Sequence, residues 1–231
     1  MIRIRKAQDR GQADLGWLKS QHTFSFASYY DPRHMGVSSL RVINDDRVAP
    51  SAGFETHGHK DMEIISYVIS GTIAHKDSFG NIKTLPAGEF QLMSAGKGIY
   101  HSEFNASNTE PLHFLQIWIQ PDTLGIDAGY QQKAFEQTSA LTAVVTPTGE
   151  NGTLKVQQDA TLYRLMLAPQ EQVHMPQLKP QRQLYVQLVE GTLKVNEQVL
   201  TPGDGAHITA EEVVRFSATD SPVTALVFDL A

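Results

Sequence analysis

Two short stretches carry side chains able to do chemistry together, Thr56-His57-Gly58-His59 and Tyr100-His101-Ser102-Glu103. Each sets two metal-capable groups at i and i+2. On a β-strand that spacing puts both on one face, about 6.5–7 Å apart. If the two strands face each other inside a barrel, three imidazoles (His57, His59, His101) and one carboxylate (Glu103) converge. That donor set suits Fe, Ni, Mn, Cu or Zn and suits Ca or Mg poorly. Such a quartet leaves one or two positions open on a five- or six-coordinate ion, the mark of a catalytic site rather than a closed structural one.

The elements that must hold these residues read as strands. Ile2 and Ile4 alternate with Arg3 and Arg5. From Leu40 to His113, short apolar runs alternate with Gly, Asn, Asp and Pro; the signals Phe79-Gly80-Asn81 and Pro86-Ala87-Gly88 mark turns. Leu112 to Ile119 reads as a buried strand. There is little helical periodicity, so the fold class is all-β, a sandwich or barrel. Pro121 to Gly125 breaks the cadence, residues 129–138 suggest a short helix, and strand-like runs resume from Leu154. The expected division is residues 1–125 as a metal-binding module, 126–139 as a linker with a short helical connection, and 140–231 as a second module without metal.

An internal repeat supports that division. Val68-Ile69-Ser70-Gly71-Thr72-Ile73 followed by Leu85-Pro86-Ala87-Gly88 recurs as Leu188-Val189-Glu190-Gly191-Thr192-Leu193 followed by Thr201-Pro202-Gly203. Similar turns at similar offsets imply similar sheets. The second copy holds only His174 and His207, with neither H-x-H nor H-x-E, and by its offset from the proline His207 matches Gln91. Only the first module should hold metal.

Composition narrows the field. The 231 residues carry a net charge of −6, which argues against direct nucleic-acid binding. Cysteine is absent, so disulfides, thiolate nucleophiles and Cys-held metals are excluded and the ligands must come from His, Asp or Glu. No signal-peptide or membrane-spanning run is apparent, which makes cytoplasmic the default and a membrane partner unexpected.

The motifs resemble those of the cupins: His57-x-His59, Glu63 and Gly71 for the first, Pro86-x-Gly88 and Gly98-x-x-His101-x-x-x-Asn105 for the second, with an insertion between Pro86 and His101. That insertion, with His22-Thr23-Phe24-Ser25-Phe26, His57 to Glu63 and Gln91 to Glu103, resembles the pirin family along nearly the whole chain. The resemblance implies two tandem cupin-type β-barrel or jelly-roll modules (a bicupin). It implies one metal, Fe(II) first and Ni, Mn, Cu, Co or Zn as alternatives, held by His57, His59, His101 and Glu103. Bacterial pirins of this length resemble quercetin 2,3-dioxygenase, whereas eukaryotic relatives are described as redox-sensitive transcriptional co-regulators.

Two readings follow. In the first, an enolic aromatic such as quercetin reacts with O₂; Glu103, the only carboxylate of the set, takes the proton of the substrate's 3-hydroxyl before the ring opens and carbon monoxide leaves. The alternative is a non-catalytic iron-binding redox sensor with a protein partner. A cupin using the same ligands only as a Lewis acid is a third possibility. Gln116, Ser94 and Glu63 are candidates to orient the ligands, Glu63 being even-phased with them at four residues beyond His59, and Phe54 and Phe90 to wall a flat aromatic; Phe54 needs a bend near Glu55 to point inward. His22 is expected to be structural. His34, His75, His113, His174 and His207 are expected to be surface or satisfied interior residues, and Phe24 to Tyr30 a core-packed aromatic strand.

Overall fold

The computed structural model describes residues 1–175 and 181–231, and these residues are almost entirely strand. In chain order the first half contains β1 (Ile2–Arg5), β2 (Gly11–Asp14), β3 (Leu18–His22), β4 (Leu40–Val48), β5 (Gly53–His59) and β6 (Glu63–Ser70). It continues with β7 (Thr72–Asp77), β8 (Ile82–Pro86), β9 (Glu89–Ser94), β10 (Ile99–Asn105), β11 (Leu112–Ile119) and β12 (Gly129–Ala134). The second half runs β13 (Leu141–Thr146), β14 (Leu154–Lys155), β15 (Ala160–Leu167), β16 (Gln172–His174) and β17 (Gln183–Glu190). It ends with β18 (Leu193–Val195), β19 (Gln198–Leu200), β20 (Gly205–Thr209), β21 (Arg215–Ala218) and β22 (Val223–Leu230). No helix among the described residues is long and apolar enough to cross a membrane.

These strands form two compact units. One comprises Gly11–Phe135 with Val156–Gln158; the other comprises Met1–Arg10, Glu136–Lys155 and Asp159–Ala231. The first has a seven-stranded sheet, β12-β9-β6-β11-β4-β3-β2, and a four-stranded sheet, β5-β10-β7-β8. The second repeats the plan, with β1-β20-β17-β22-β15-β13-β14 and β16-β21-β18-β19. The repeated Gly-Thr turns fall at matching places. Gly71 and Gly191 have φ of +84° and +86°, where a side chain is strained. A Cβ on Gly191 would also collide with the Pro222 carbonyl.

Two expectations are corrected. Residues 129–138 do not begin a helix. Gly129 to Ala134 pair in antiparallel register with Ser94 to Glu89, because the open edge of β9 offers hydrogen bonds that outweigh a weak local helical preference. The expected boundary at residue 125 placed the N-terminus in the first module. Instead β1 pairs with β20, and Asp204 accepts hydrogen bonds from the Ala7 amide (2.8 Å) and Lys6 Nζ (2.9 Å). Alternating Ile-Arg residues identify β1 as a strand, but nothing in them names its distant partner.

The interior of the second unit is an apolar cluster that includes Leu165, Leu184, Val186, Leu193, Ala206, Phe216 and Val227. In the first unit such packing is split into smaller groups, one around Val68, Leu85 and Phe114 and another around Ile64, Met93 and Ile99. Polar residues lie between them.

Candidate metal centre

The two ligand-bearing strands, β5 and β10, are hydrogen-bonded neighbours in the four-stranded sheet; they do not face each other across the interior. His57 pairs with His101, and on the other side His101 pairs with Asp77 of β7. Beyond this pair β5 carries one residue more than β10, so Glu103 pairs with Phe54 and, on β7, with His75. This β-bulge is the bend required near Glu55. It turns Phe54 inward, its ring 5.2 Å from Trp17 and 6.4 Å from His57. It also sets His57 Nδ1 2.7 Å from the Glu55 carbonyl. A carbonyl only accepts, so Nδ1 carries the proton and the Nε2 lone pair of the neutral ring stays available.

The three imidazoles gather tightly. Ring centroids are 4.5 Å apart for His57 and His101, 4.8 Å for His57 and His59, and 5.0 Å for His59 and His101. One nitrogen from each lies within 4.8 Å of the others. Glu103 does not join that group; it belongs to a second one with His75 and His101, under the same 4.8 Å limit. The four predicted residues therefore fall into two overlapping trios that share His101, with His75 as a fifth member.

Electrostatics favour the neutral, metal-binding form of the rings. Burial, then the neighbouring His101 and His57 rings, pushes His59 down to about 4. Burial, followed by His57 and His75, pushes His101 down to about 3. His59 Nε2 and both ring nitrogens of His101 are buried without a hydrogen-bond partner. An unsatisfied buried polar atom costs about 1–3 kcal/mol, so several in one cluster suggest a group that would satisfy them. Imidazole nitrogens with a carboxylate beside them fit a divalent transition metal.

Glu103, 2 % exposed, accepts from Gln116 Nε2 at 3.0 Å and from Ser66 Oγ at 3.3 Å. Gln116 thus takes the orienting position foreseen for it. Ser94 and Glu63 do not: Ser94 Oγ donates to Glu63 Oε2 at 2.9 Å, and Glu63 also accepts from the Gln157 amide. Burial raises the Glu63 carboxyl, and those two hydrogen bonds partly offset it. Register aligns Glu63 with Ile119 and Ser94, on the face opposite Ser66 and Gln116. Parity counted from His59 fails here because the turn at Asp61 (φ +49°) ends one strand and starts another in a different sheet.

The face of the seven-stranded sheet whose Ser66 and Gln116 donate to Glu103 carries a polar row. Cross-strand register sets His22, Asn44, Gln116, Ser66, Gln91 and Gln132 side by side across β3, β4, β11, β6, β9 and β12. Trp118, Ile64 and Met93 flank it on one side, Phe114 and Val68 on the other. Next to the row, Asp46 is 2 % exposed, and burial lifts its carboxyl to about 7.

Phe90 does not wall the site. It is fully buried and stacks on Tyr67 at 4.5 Å, one residue out of phase with Gln91. Trp118 serves instead, its ring 5.0 Å from His59 and 5.4 Å from Phe26. Phe24 to Tyr30 is a turn and not a strand, with Ala27 at φ +50° and Tyr30 72 % exposed. His22 is structural as expected, 3 % exposed and edge-on to Phe26 at 5.2 Å. His113 and His207 have partners, Asp45 and Gln183. Register makes Ala206, and not His207, the counterpart of Gln91, since Val186 pairs with Ala206 as Ser66 pairs with Gln91.

His75 is more than a satisfied interior residue. It is 1 % exposed, with its ring 5.5 Å from His101 and 4.8 Å from Tyr130. The signal was present in His75-Lys76-Asp77, an i, i+2 pair like the other two. Tyr130 and Trp118 had no comparable motif.

Residues 3–119 match the family described as Pirin, and residues 143–230 the one described as Quercetinase C-terminal cupin domain. A quercetin 2,3-dioxygenase from Escherichia coli K12 is 50 % identical over 231 residues, covering 100 % of this chain and 99 % of that one. The crystal structure of YhhW from Escherichia coli, 49 % identical, superposes with a TM-score of 0.97 and covers 100 % of this chain and 98 % of that one. A second structure, bacterial pirin YhhW in complex with nickel(II), gives 0.95 at 49 % identity, with coverage of 100 % and 99 %.

Proposed function

This chain belongs to the pirin family, and from that premise we propose that it is a metal-dependent cupin dioxygenase that opens a flavonol such as quercetin with O₂. The observation that carries this reading is the cluster of buried, unpartnered nitrogens on His59 and His101 beside His57, with Glu103 next to it. The similarity to a quercetin 2,3-dioxygenase supports the substrate class, and the nickel(II) complex of a relative supports a divalent metal. We take Fe(II) as the native ion, held by His57, His59, His101 and Glu103. When bound, such an ion supplies Lewis acidity toward the flavonol 3-oxygen and a redox partner for O₂.

The chain's own residues do the rest. Glu103 accepts the proton of the 3-hydroxyl, leaving an electron-rich enolate. Ser66 and Gln116 hold the carboxylate by one oxygen each, so a single carboxylate can be aimed at the proton it must take. Phe54 and Trp118 offer apolar surface beside His57 and His59, suited to a flat aromatic and to excluding water. Both atoms of O₂ end in the opened product, and one ring carbon leaves as carbon monoxide.

The test is Glu103→Gln. Flavonol loss followed by absorbance should fall below about 1 % of wild type, in line with the 10²–10⁴-fold contribution of a general base, with metal content largely kept. Unchanged turnover removes Glu103 as the base. Turnover that continues without O₂ removes the dioxygenase reading, and no turnover with any metal leaves the redox-sensing role.

A further inference from the structure

The proposed metal site uses His57, His59, His101 and Glu103, and leaves one buried imidazole beside it without a task. His75 lies on β7 directly across from Glu103, and Asp77 lies across from His101. His75 Nε2 is 3.2 Å from Asp77 Oδ2, and His75 Nδ1 is buried with no hydrogen-bond partner. Asp77 Oδ1 also accepts from the amides of Phe79 and Asn81, each at 3.0 Å, and its Oδ2 from Asn81 Nδ2 at 2.8 Å. Both oxygens of Asp77 thus face N–H donors, so Asp77 acts as an acceptor toward His75 as well. Nε2 of His75 must carry the proton, which leaves the lone pair of the neutral ring on Nδ1.

A histidine whose protonated nitrogen is anchored on a carboxylate while the other stays bare has the arrangement common to metal-ligating histidines. The His75 ring has suitable company. One ring nitrogen each of His75 and His101 and one oxygen of Glu103 lie within 4.8 Å of one another, and all three residues are buried. The trio of His57, His59 and His101 is half-buried at its first two members. The two sets also differ in chemistry. The outer one offers three imidazoles; the inner one offers two imidazoles and a carboxylate, the composition of non-haem Fe(II) sites with open positions.

We propose a second, inner metal position in this chain, held by His75, His101 and Glu103 and positioned by Asp77. Because His101 and Glu103 serve both positions, a single ion occupies one or the other. Moving inward exchanges His57 and His59 for His75 and keeps the carboxylate assigned as the base among the ligands. This inference rests on the metal-site reading above, and it adds a ligand and a location to it.

Cobalt(II) is the probe, measured by equilibrium dialysis on the full chain, with circular dichroism as the check on folding. His57→Ala/His59→Ala removes the outer trio and should still bind about one cobalt per chain, more weakly than wild type. Adding His75→Ala should weaken that residual binding about 100-fold. His75→Ala alone should stay within about threefold of wild type, since the outer trio remains. Equal binding by the double and triple variants overturns the inner position. A wild type that takes up no cobalt overturns the metal site itself, a separate failure. Should the double variant not fold, anomalous scattering from wild-type crystals in excess manganese(II) decides. A peak between His75 and Glu103 supports the inner position, and density confined to His57, His59 and His101 overturns it.

Discussion

The two units share one plan and differ along one row of side chains. In the first, the row reads His22, Asn44, Gln116, Ser66, Gln91, Gln132. The matching strands of the second carry Ala143, Tyr163, Val227, Val186, Ala206, Ile4. Asp46, beside the row in the first unit, corresponds to Leu165 in the second, since each lies two residues along from Asn44 or Tyr163. The second unit shows that this arrangement of strands folds around an apolar interior. The polar row of the first is therefore not a requirement of the fold, and burying it costs free energy wherever a donor or acceptor stays unmatched. His22 Nδ1, Asn44 Oδ1, Asp46 Oδ1 and Gln91 Nε2 are such atoms. What the row supplies in return is the pair of donors on Glu103.

That contrast can be broken experimentally, and the largest effect is expected at His101. It belongs to both donor trios, so His101→Ala should weaken nickel(II) binding by more than about 100-fold, beyond the loss typical of an outer partner. His207→Ala, in the second unit, should leave binding unchanged in the same dialysis measurement. Metal loss from the second variant would end the asymmetry.

The next largest concerns Asp46 against Leu165. Burial, eased by a hydrogen bond from Ser20 and reinforced by Asp45 and Glu103, raises Asp46 from 3.8 to about 7. Between those values the folded state holds a proton that the unfolded chain has released. Wild-type stability should therefore fall as pH rises through about 4 to 7. Asp46→Asn has no such proton, so its advantage over wild type should grow across that window, by at most about 4 kcal/mol, and stay flat outside it. Urea unfolding of metal-free protein at a series of pH values measures this; parallel curves for the two proteins would refute the buried ionisation.

Gln116→Val copies Val227 into the first unit. Turnover should drop about 10–100-fold, as for loss of a group that orients a ligand, while the urea midpoint should hold or rise. A collapse in stability with turnover per folded molecule intact would make the row structural. The reverse exchange, Val227→Gln, is expected to cost about 1–3 kcal/mol of stability through an unmatched buried amide and to leave metal binding untouched.

Much of this was legible in the order of residues. The H-x-H and H-x-E pairs follow from period-two alternation, which any strand imposes whatever surrounds it. The repeated Gly-Thr turns were readable because a positive φ calls for glycine. Phe54 was read as needing a bend at Glu55, and the bulge is there. Most of the misreadings have one cause, in that they depended on pairing between distant strands; the turn at Phe24 to Tyr30 is a local exception. Phase counted across the Asp61 turn put Glu63 on the wrong face. The edge of β9 turned residues 129–134 into a strand. His75 looked idle until β7 was seen to lie against β10.

The sequence by itself determined which side chains share a face, that any protein metal donors would be His and carboxylate in a chain without cysteine, and that only one half of the repeat carries the H-x-H and H-x-E pairs. Those properties are local or compositional, and they hold before any strand finds its partner. The tertiary structure alone decided which faces meet. It set β5, β10 and β7 side by side, divided the quartet together with His75 between two trios that share His101, and aligned six polar residues from six strands into one row behind Glu103. Register is a property of pairs of strands, fixed by hydrogen bonds and bulges between segments far apart in the chain.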